Sequence, residues 1–464
     1  MSDSAKSHYG DESPIAAFAT TPGNSALTLI RCSGKDSIEL VSSVFSPEKI
    51  KDAAGNTVIH GWIIADNNKI DEVLASVFRS PKSYTGENSL DICCHGGAAA
   101  GIAVMTALKN AGFRDALPGE FTFRAFMNGK LDLTRSESVM ELVSAKTEIG
   151  RRHAVSRLMG SLEKEIGEIK QRLVQVLAAA EIYLDYSEDE ISADSDEAAG
   201  RLPNKEIAVE ALKRLKKLSA SWQLERIYQE GVKLVIAGRP NAGKSSLFNS
   251  LLKEDRSIVN ELPGTTRDWI EAFVSINGIP VRLVDTAGLR ETSDSVEKIG
   301  VERSRKLLQE ADVVVYLIDG TQGFTKEDSA ECEIWNGKKP VIFLWNKCDL
   351  ALPPKPFPKA DIHPVCVSAK TGVGLEELFS AIGSNLPKHD ESSAAALGTE
   401  RQKKLVDTAC FALEEALVMA EREEPLDLIA PLLREAVNSL GEMTGEISTA
   451  DILEEMFSRF CVGK

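Results

Sequence analysis

One stretch of the sequence decides the fold of its domain: Val232-Lys233-Leu234-Val235-Ile236-Ala237-Gly238-Arg239-Pro240-Asn241-Ala242-Gly243-Lys244-Ser245. The apolar run predicts a strand, and the Gly-x4-Gly-Lys-Ser pattern is typical of a phosphate-binding loop that opens a helix. Backbone N–H groups of such a loop surround a β-phosphate, Lys244 can reach the β- and γ-phosphates, and the Ser245 hydroxyl suits Mg²⁺. The alternative is an ordinary glycine-rich turn, because the pattern also occurs by chance.

Three further motifs follow in chain order and argue against chance. They are Leu283-Val284-Asp285-Thr286-Ala287-Gly288, Val341-Ile342-Phe343-Leu344-Trp345-Asn346-Lys347-Cys348-Asp349 and Val367-Ser368-Ala369-Lys370. Ligands of open parallel sheets bind at the carboxyl ends of strands, which is where these motifs stand. Together the four elements predict an α/β P-loop GTPase domain.

The last two motifs predict that the base is guanine. The Asp349 carboxylate can accept hydrogen bonds from the N1–H and the exocyclic amine of guanine, which adenine does not offer in that pattern. By resemblance to GTPases of the translation-factor class, the Lys347 stem lies over the ring and the Ala369 N–H reaches the guanine carbonyl oxygen. A degenerate fold that binds no GTP is the alternative. The other residues expected to bind GTP are Asn241, Ala242, Gly243, Ser246, Asn260, Glu261, Leu262, Pro263, Gly264, Thr265, Thr286, Ala287, Asn346, Ser368 and Lys370.

The residues around the phosphate loop predict how GTP is hydrolysed. We expect Asp285 to hold Mg²⁺ through water, Thr266 to close over the metal, and the Gly288 N–H to face the γ-phosphate. Leu289 stands where many GTPases have a glutamine that orients water, and leucine cannot do so. We therefore expect the accelerating group to come from elsewhere. Asn241 offers a neutral oxygen, and carbonyls of residues 260–264 can complete a cage for K⁺.

The composition of the chain limits the classes of function that it can have. The chain has 464 residues, a net charge of -16 and 43% hydrophobic residues, which predicts about three domains with packed cores. The negative charge argues against broad adhesion to nucleic acid, so any RNA contact must be local. No apolar run approaches the roughly 20 residues of a membrane span, and we predict a cytoplasmic protein without a membrane partner. The eight cysteines lack Cys-x-x-Cys spacing, which disfavours a zinc site or a disulfide framework.

The remaining sequence predicts a multidomain chain. Short β-rich runs at residues 15–19, 28–32, 73–78 and 90–94, the last of them entering a turn at Gly96-Gly97, and a helix near residues 98–111 make residues 1–130 an α+β N-terminal domain. Apolar residues at helical spacing predict long helices from about 136 to 186 and another from 204 to 229. Helices return after a polar linker. We infer a discontinuous helical domain, residues 131–229 and 387–464, with the GTPase domain, 230–386, inserted in it; two separate helical arms are the alternative.

Over its whole length the chain resembles the MnmE (TrmE) family of bacterial tRNA modification GTPases. Beyond the GTPase motifs, the resemblance is carried by two terminal signatures that are specific to the family. They are Pro118-Gly119-Glu120-Phe121-Thr122 with Asn128-Gly129-Lys130-Leu131-Asp132-Leu133, and the terminal Cys461-Val462-Gly463-Lys464. Gly264-Thr265-Thr266-Arg267-Asp268 and Val296-Glu297-Lys298-Ile299-Gly300 also match it in order.

The resemblance implies a reaction and its cofactors. It implies a K⁺-dependent GTP hydrolase that forms a homodimer through its N-terminal domains, with a folate site there, and works with the FAD-containing partner MnmG. Together they would add an aminomethyl or carboxymethylaminomethyl group at C5 of the wobble uridine, U34, of certain tRNAs. The carbon would come from a tetrahydrofolate derivative, either 5-formyl or 5,10-methylene.

The resemblance also implies roles for single residues. Asn241, Thr265 and the carbonyls of Asn260 and Leu262 would bind K⁺, and Glu297 would position the attacking water; a solvated carboxylate is the alternative for Glu297. The family commonly has Thr and Ala at positions 260 and 263, where this chain has Asn and Pro. The residues implied to bind folate are Arg31, Asp91, Lys130 and Lys464.

Two of these implied assignments leave alternatives. At position 91 the family has Glu, so the shorter Asp91 leaves nearby Glu87 as a substitute. Cys461 would be a thiol beside the one-carbon donor, or merely a small buried residue.

A ribosome-assembly or signalling GTPase that acts only as a switch is the rival function. Such proteins share the GTPase core and commonly carry an RNA-binding module. A KH module needs a Gly-x-x-Gly clamp, and residues 388–464 contain no such spacing. A purely structural assembly platform is a third reading, which the intact GTP motifs disfavour.

Overall fold

The computed structural model describes residues 8–21, 23–185, 202–253, 257–258, 271–285, 309–335, 339–359, 362–386 and 395–464. They form two compact units. One consists of Met1–Met140, Arg157–Lys217 and Glu400–Lys464, and the other of Glu141–Ser156 and Leu218–Thr399. The chain leaves the first unit at residue 141, returns to it at residue 157, leaves it again at residue 218 and returns at residue 400. The discontinuous helical domain with an inserted GTPase domain stays a prediction.

An antiparallel sheet with one parallel edge pair forms the α+β part of the first unit. Its strands are β1 (Ile15–Phe18), β2 (Leu27–Ser33), β3 (Phe45–Ser46), β4 (Thr57–Ala65), β5 (Asn68–Phe78), β6 (Ser89–His95) and β7 (Arg114–Asp115). Their order is β3-β4-β5-β6-β2-β1-β7, with β1 and β7 parallel. Helices α1 (Ser37–Ser43) and α2 (Ala98–Ala111) contribute to one buried core with the strands, including Ile38, Val104, Ile30 and Ile92.

The sequence predicted β1, β2, β5, β6 and α2 but missed β4. The signal for β4 is its β-branched run followed by Asp66-Asn67, a pair typical of a tight hairpin. Both residues adopt positive φ angles, 50° and 60°, as such a turn requires. The predicted strand through Cys93 and Cys94 ends at His95 as expected. Cys94 is buried and His95 exposed, because successive side chains of a strand point to opposite faces of the sheet.

Helices follow the sheet in chain order: α3 (Glu120–Met127), α4 (Leu133–Ser144), α5 (Glu148–Leu158), α6 (Ser161–Asp185) and α7 (Lys205–Glu230). The sequence predicted long helices from about residue 136 to 186, and α4, α5 and α6 occupy this region. Only α6, with 25 residues, is long. Gly160 has a φ of 91°, a left-handed conformation that breaks a helix and that glycine adopts without steric cost. Ile166, Leu173 and Val176 of α6 are buried as predicted, whereas Leu184 is 44% exposed.

The second unit is built on a mostly parallel sheet. Its strands are β8 (Val232–Gly238), β9 (Ser257–Ile258), β10 (Glu271–Ile276), β11 (Ile279–Asp285), β12 (Val313–Asp319), β13 (Val341–Asn346) and β14 (Val365–Cys366). The order is β14-β13-β12-β8-β11-β10-β9. The accompanying helices within the described residues are α8 (Lys244–Lys253), α9 (Lys326–Trp335) and α10 (Leu375–Ser384). Every residue of β12 is buried, as expected for a central parallel strand.

Three C-terminal helices complete the first unit: α11 (Glu400–Glu421), α12 (Leu426–Thr444) and α13 (Ala450–Ser458). Helix α12 packs against both α11 and α6. Arg401 of α11 forms an ion pair with Glu137 of α4, with Nε–Oε1 at 2.8 Å and Glu137 only 5% exposed. The fully buried Gln402 donates to the same carboxylate. Helices α4 and α11, which are far apart in the sequence, are therefore joined by a buried polar network.

We expect Arg401→Ala to lower the free energy of unfolding by about 3–5 kcal/mol, because removing one partner leaves a buried charge uncompensated. Arg459→Ala is the matched control. Its partner is Glu455, and their side chains are 75% and 72% exposed, so its loss should cost less than about 1 kcal/mol. Urea denaturation followed by circular dichroism measures both. Equal losses in the two variants would contradict the expectation.

Candidate functional site

The phosphate loop has the predicted course from β8 to the first residue of α8. Gly238, with φ 142°, and Gly243, with φ 97°, hold conformations that favour glycine. A Cβ atom on Gly238 would lie 2.6 Å from the Leu317 carbonyl oxygen, and one on Gly243 would lie 2.3 Å from Asn346 Nδ2. Both glycines are required because neighbouring strands leave no room for a side chain.

Lys244 begins helix α8 beneath this loop. Its Nζ donates to the carbonyl oxygens of Gly238 and Arg239, both at 2.9 Å. Ser245 and Ser246 follow in the first turn, and both are exposed, as is Asn241 with its φ of 63°. A helix N-terminus directs backbone N–H groups and positive potential outward. The loop thus offers an ammonium group, hydroxyls and amides to an anionic ligand.

The strand ends bring the predicted motifs to one edge of the sheet. Strands β13, β12, β8 and β11 are parallel neighbours. They end at Asn346, Asp319, Gly238 and Asp285. The carboxyl edge of an open parallel sheet is where ligands bind. The phosphate and guanine motifs therefore share one edge.

Asn346 ties the guanine motif to its neighbours. The side chain is 2% exposed, and Nδ2 donates to the Ala242 carbonyl oxygen at 2.7 Å. Its Oδ1 accepts from the Ala369 N–H at 3.1 Å. That N–H, predicted to reach the guanine oxygen, thus has an acceptor within the protein. Asn346 acts as a structural link between three loops.

The other residues of these two loops differ in exposure. Asp349 and Lys370 are exposed, whereas Ser368 is fully buried. The Ser368 hydroxyl accepts from the Thr371 N–H at 3.3 Å. The exposed carboxylate of Asp349 is accessible for the base contact predicted for it.

Sequence reasoning missed Asp319 at the end of β12. Its Oδ2 accepts from Lys347 Nζ at 2.7 Å, and its Oδ1 accepts from the Thr321 hydroxyl at 2.7 Å. Burial by itself would raise the pKa of this carboxyl, but hydrogen bonds from Lys347 and Thr321 outweigh it and hold the pKa below its usual range. The sequence signal for Asp319 is an acidic residue at the end of an apolar run, the same pattern as at Asp285.

Some predicted site residues lie outside the described residues, and their roles stay predictions. They are Asn260, Glu261, Leu262, Pro263, Gly264, Thr265, Thr266, Thr286, Ala287, Gly288 and Glu297. For Mg²⁺, the exposed Ser245 supplies a hydroxyl oxygen, a donor type that this ion accepts. The backbone of Asp285 ends the strand beside β8. Among the described residues, no group of three or more His, Cys, Asp or Glu side chains could hold a metal.

A second polar cluster lies in the first unit, around Arg31. Arg31 and Asp91 face each other across β2 and β6. Arg31 Nε lies 3.0 Å from Asp91 Oδ1, with both side chains 22% exposed. The Arg31 guanidinium carbon lies 5.7 Å from the Tyr84 ring centroid and 6.0 Å from that of Phe121. The cluster is a charged pair enclosed by aromatic rings and open to solvent on one side.

Glu87, the alternative to Asp91, has different partners. It accepts from the Ser33 hydroxyl at 2.8 Å and pairs with Arg124 Nη1 at 3.2 Å. Arg124 also pairs with Glu120, which is fully buried. Glu87 is therefore held by a structural network, whereas Asp91 pairs with Arg31. This favours Asp91 as the carboxylate that acts together with Arg31.

The C-terminal tail lies against the N-terminal part of the same unit. The Cys461 carbonyl oxygen accepts from the Gly119 N–H at 3.3 Å. Gly463 is buried with a φ of 93°, and a Cβ there would lie 2.5 Å from the Phe18 carbonyl oxygen. Phe18 is the last residue of β1, and its neighbour Ala17 pairs with Arg31 of β2. The tail thus reaches the strand beside that of Arg31.

The remaining predicted residues are accessible in this region. Lys464 is partly exposed and Cys461 exposed, so the reading of Cys461 as a buried small residue is wrong. Lys130 is exposed, and its Nζ donates to the Pro81 carbonyl oxygen at 3.1 Å.

A phosphate loop between β8 and α8, with an Asn-Lys-x-Asp motif at the end of a parallel strand, defines a P-loop GTPase. Two family models identify the family within this class. The model described as MnmE helical domain matches residues 133–461, and that of the GTP-binding protein TrmE N-terminus matches residues 14–130. The chain belongs to the MnmE family of tRNA modification GTPases. It is a GTP hydrolase.

Individual relatives match this chain over nearly its full length. The chain is 44% identical to the tRNA modification GTPase MnmE of Treponema denticola, covering 98% of this chain and 99% of the relative. It is 40% identical to that of Carboxydothermus hydrogenoformans, covering 98% and 100%. A solved structure of Aquifex aeolicus Era bound to GDP and AlF4⁻ is 30% identical over 39% of this chain and 66% of that chain, with a TM-score of 0.27. So low a TM-score adds no support.

Within the part of the chain that the structure describes, no helix has both the length and the apolar character needed to cross a membrane.

Proposed function

We propose that this GTPase, together with the FAD-containing partner MnmG, modifies C5 of the wobble uridine U34 of certain tRNAs. The added group is aminomethyl or carboxymethylaminomethyl, and its carbon comes from a tetrahydrofolate derivative. The chain acts as a homodimer through its N-terminal domain and does so in the cytoplasm. Arg31, Asp91, Lys130 and Lys464 hold the folate, whose polar pterin and glutamate parts suit charged side chains.

The single observation that carries this proposal is the position of the C-terminal tail. Gly119 and Phe18 of the N-terminal part contact Cys461 and Gly463. A tail that merely frays would make no such contacts. A switch GTPase has no chemical need for a charged terminus held against the strand next to that of Arg31. The contacts therefore favour the one-carbon reaction over the rival switch function.

Mass spectrometry of nucleosides from total tRNA tests the proposal. Cells with and without the gene are compared, and the gene is then restored on a plasmid. We expect the aminomethyl-type wobble uridine to disappear on deletion and to return on restoration. Unchanged tRNA would contradict the proposal and would favour a GTPase that acts only as a switch.

Gly463→Ala is expected to lower the modified nucleoside about tenfold and to leave GTP hydrolysis unchanged. A side chain at this left-handed position, facing the Phe18 carbonyl oxygen, carries strain of order 1–3 kcal/mol that favours release of the tail. Val462→Ala is the control, because Val462 is 54% exposed. Nucleoside mass spectrometry of cells carrying each variant measures the effect. Full modification by the Gly463 variant would contradict the tail's role.

The proposed hydrolysis uses K⁺ in the place of an arginine finger, held by Asn241, Asn260, Leu262 and Thr265, while Glu297 positions the attacking water. Asn241 supports this because it is exposed in the phosphate loop with its φ of 63°. We expect hydrolysis in KCl to exceed that in NaCl at least about tenfold, since an arginine finger contributes about 10³–10⁵. Steady-state phosphate release at matched ionic strength measures the ratio. Equal rates would remove the cation cage from the mechanism.

A further inference from the structure

One segment of the GTPase unit contacts both the guanine motif and the phosphate loop. It comprises residues 319–328, which connect β12 to α9, and we call it the support segment. A carboxylate stands at each end: Asp319 is 3% exposed and Asp328 is fully buried. Buried carboxylates are costly unless they are paired. Their partners therefore indicate what the segment does.

The first end holds Lys347 of the guanine motif. Asp319 and Asn346 are directly paired in the register of β12 and β13, so Lys347 emerges beside Asp319. Lys347 adopts a φ of 61°, and its side chain is 32% exposed while that of Asp319 is 4% exposed. The buried carboxylate thus fixes the direction of a lysine that remains partly accessible.

The second end holds Arg239 of the phosphate loop. Asp328 Oδ1 accepts from Arg239 Nε at 3.2 Å and from the Tyr316 hydroxyl at 3.0 Å. The Arg239 guanidinium also donates to Gln322 Oε1 at 3.1 Å and to the Gly323 carbonyl oxygen at 3.3 Å. The Arg239 carbonyl oxygen is one of the two that accept from Lys244 Nζ. Anchoring Arg239 therefore also fixes an acceptor of Lys244.

We propose that the support segment positions both loops for GTP, with Asp319 orienting Lys347 and Asp328 anchoring the phosphate loop through Arg239. The inference rests on the proposed contact of Lys347 with guanine. A lysine side chain loses much rotamer freedom when a ligand orders it. Restraint before binding lowers that cost and strengthens affinity. Asp319 is thus a positioning residue that acts through Lys347.

A double-mutant cycle on GDP affinity tests this role. The variants are Asp319→Ala, Lys347→Ala and the double variant, each titrated with a fluorescent GDP analogue. We expect each single change to weaken binding about tenfold, within the range of couplings seen for contacting residues. The double variant should bind no more weakly than Lys347→Ala alone. Thermal unfolding without nucleotide is recorded for every variant.

Asp312→Ala is the matched control. Asp312 precedes β12, and its Oδ2 accepts from the Lys233 N–H at 2.8 Å. Its loss should change GDP affinity less than about twofold because it lies at the opposite edge of the sheet from the ligand. Asp319→Asn keeps an acceptor while removing the charge, and serves as the test variant if Asp319→Ala does not fold. We expect it to weaken GDP binding about threefold, again only when Lys347 is present.

The second end is tested with Arg239→Ala. We expect it to weaken GDP binding and to combine additively with Asp319→Ala, because the two residues act on different loops. If Arg239→Ala leaves affinity unchanged, the anchoring half of the inference is wrong.

Three outcomes distinguish failure of the positioning role of Asp319 from failure of the guanine role of Lys347, on which it rests. If Lys347→Ala binds GDP like the wild type, the proposed guanine role of Lys347 is wrong, and the positioning inference with it. If Lys347→Ala binds weakly but the Asp319 variant stays within twofold of wild type, only the positioning inference is wrong. The same holds if the Asp319 change weakens binding equally with and without Lys347, since a purely structural role would act in that way.

Discussion

Lys244→Ala is expected to lower kcat/KM for GTP by about 10³-fold. The Lys244 ammonium lies at the start of α8 with two loop carbonyls as acceptors, and we expect it to contact the β- and γ-phosphates from this position. Removing one preorganised donor to a developing negative charge commonly costs 10²–10³ in rate. Loss of ground-state phosphate binding adds to this. Steady-state phosphate release and titration with a fluorescent GDP analogue separate the two contributions.

Two further lysine variants serve as controls for that measurement. Lys253→Ala, at the exposed end of the same helix, removes an equal charge without approaching the loop and should leave the rate within twofold. Lys244→Arg retains the charge, but its larger planar head does not fit a site shaped for an ammonium. We expect it to be nearly as inactive as Lys244→Ala. Activity of Lys244→Ala within tenfold of the wild type would mean that the phosphates bind elsewhere.

Asp349→Asn is expected to lower kcat/KM for GTP by about 10²-fold or more and to raise activity toward XTP. We expect the carboxylate to accept from two guanine N–H groups, and hydrogen bonds to charged groups are worth about 1.5–3 kcal/mol each. Xanthine has a carbonyl where guanine has its amine. The carboxamide of asparagine can donate to that carbonyl, so the preferred base should change.

Asp349→Ala is the companion variant for that prediction. It removes the acceptor without adding a donor, so it should lose GTP activity and gain none toward XTP. Hydrolysis of both nucleotides by the wild type and the two variants measures the change in preference. An Asp349→Asn enzyme that still prefers GTP would place the guanine contact on another residue.

Local patterns in the sequence were sufficient for much of the fold. The apolar run before the phosphate loop predicted β8, and the helix predicted after Gly96-Gly97, near residues 98–111, is α2. These elements are set by residues close together in the chain, through strand and helix periodicity and turn chemistry. Local signals also exist for the hairpin turn after β4, at Asp66-Asn67, and for the helix break at Gly160.

The long-range contacts that assemble the sites could not be predicted from local sequence patterns. Glu137 and Arg401 lie 264 residues apart, and Asp319 and Lys347 lie 28 apart. No period or spacing links such residues. The packing of strands and helices brings them together, and burial then makes their pairing obligatory because an unpaired charge in the interior is costly.

The sequence by itself determined the chemistry of this protein: a phosphate loop, a guanine motif and terminal signatures shared with one family of tRNA modification GTPases. Only the tertiary structure decided which groups hold that chemistry in place. It put Asp319 beside Lys347, linked Asn346 to the phosphate loop, and brought the C-terminal tail to the strand beside Arg31. The physical reason is that reactive residue types are recognisable one motif at a time. Their orientation depends on long-range packing that surrounds them with specific partners.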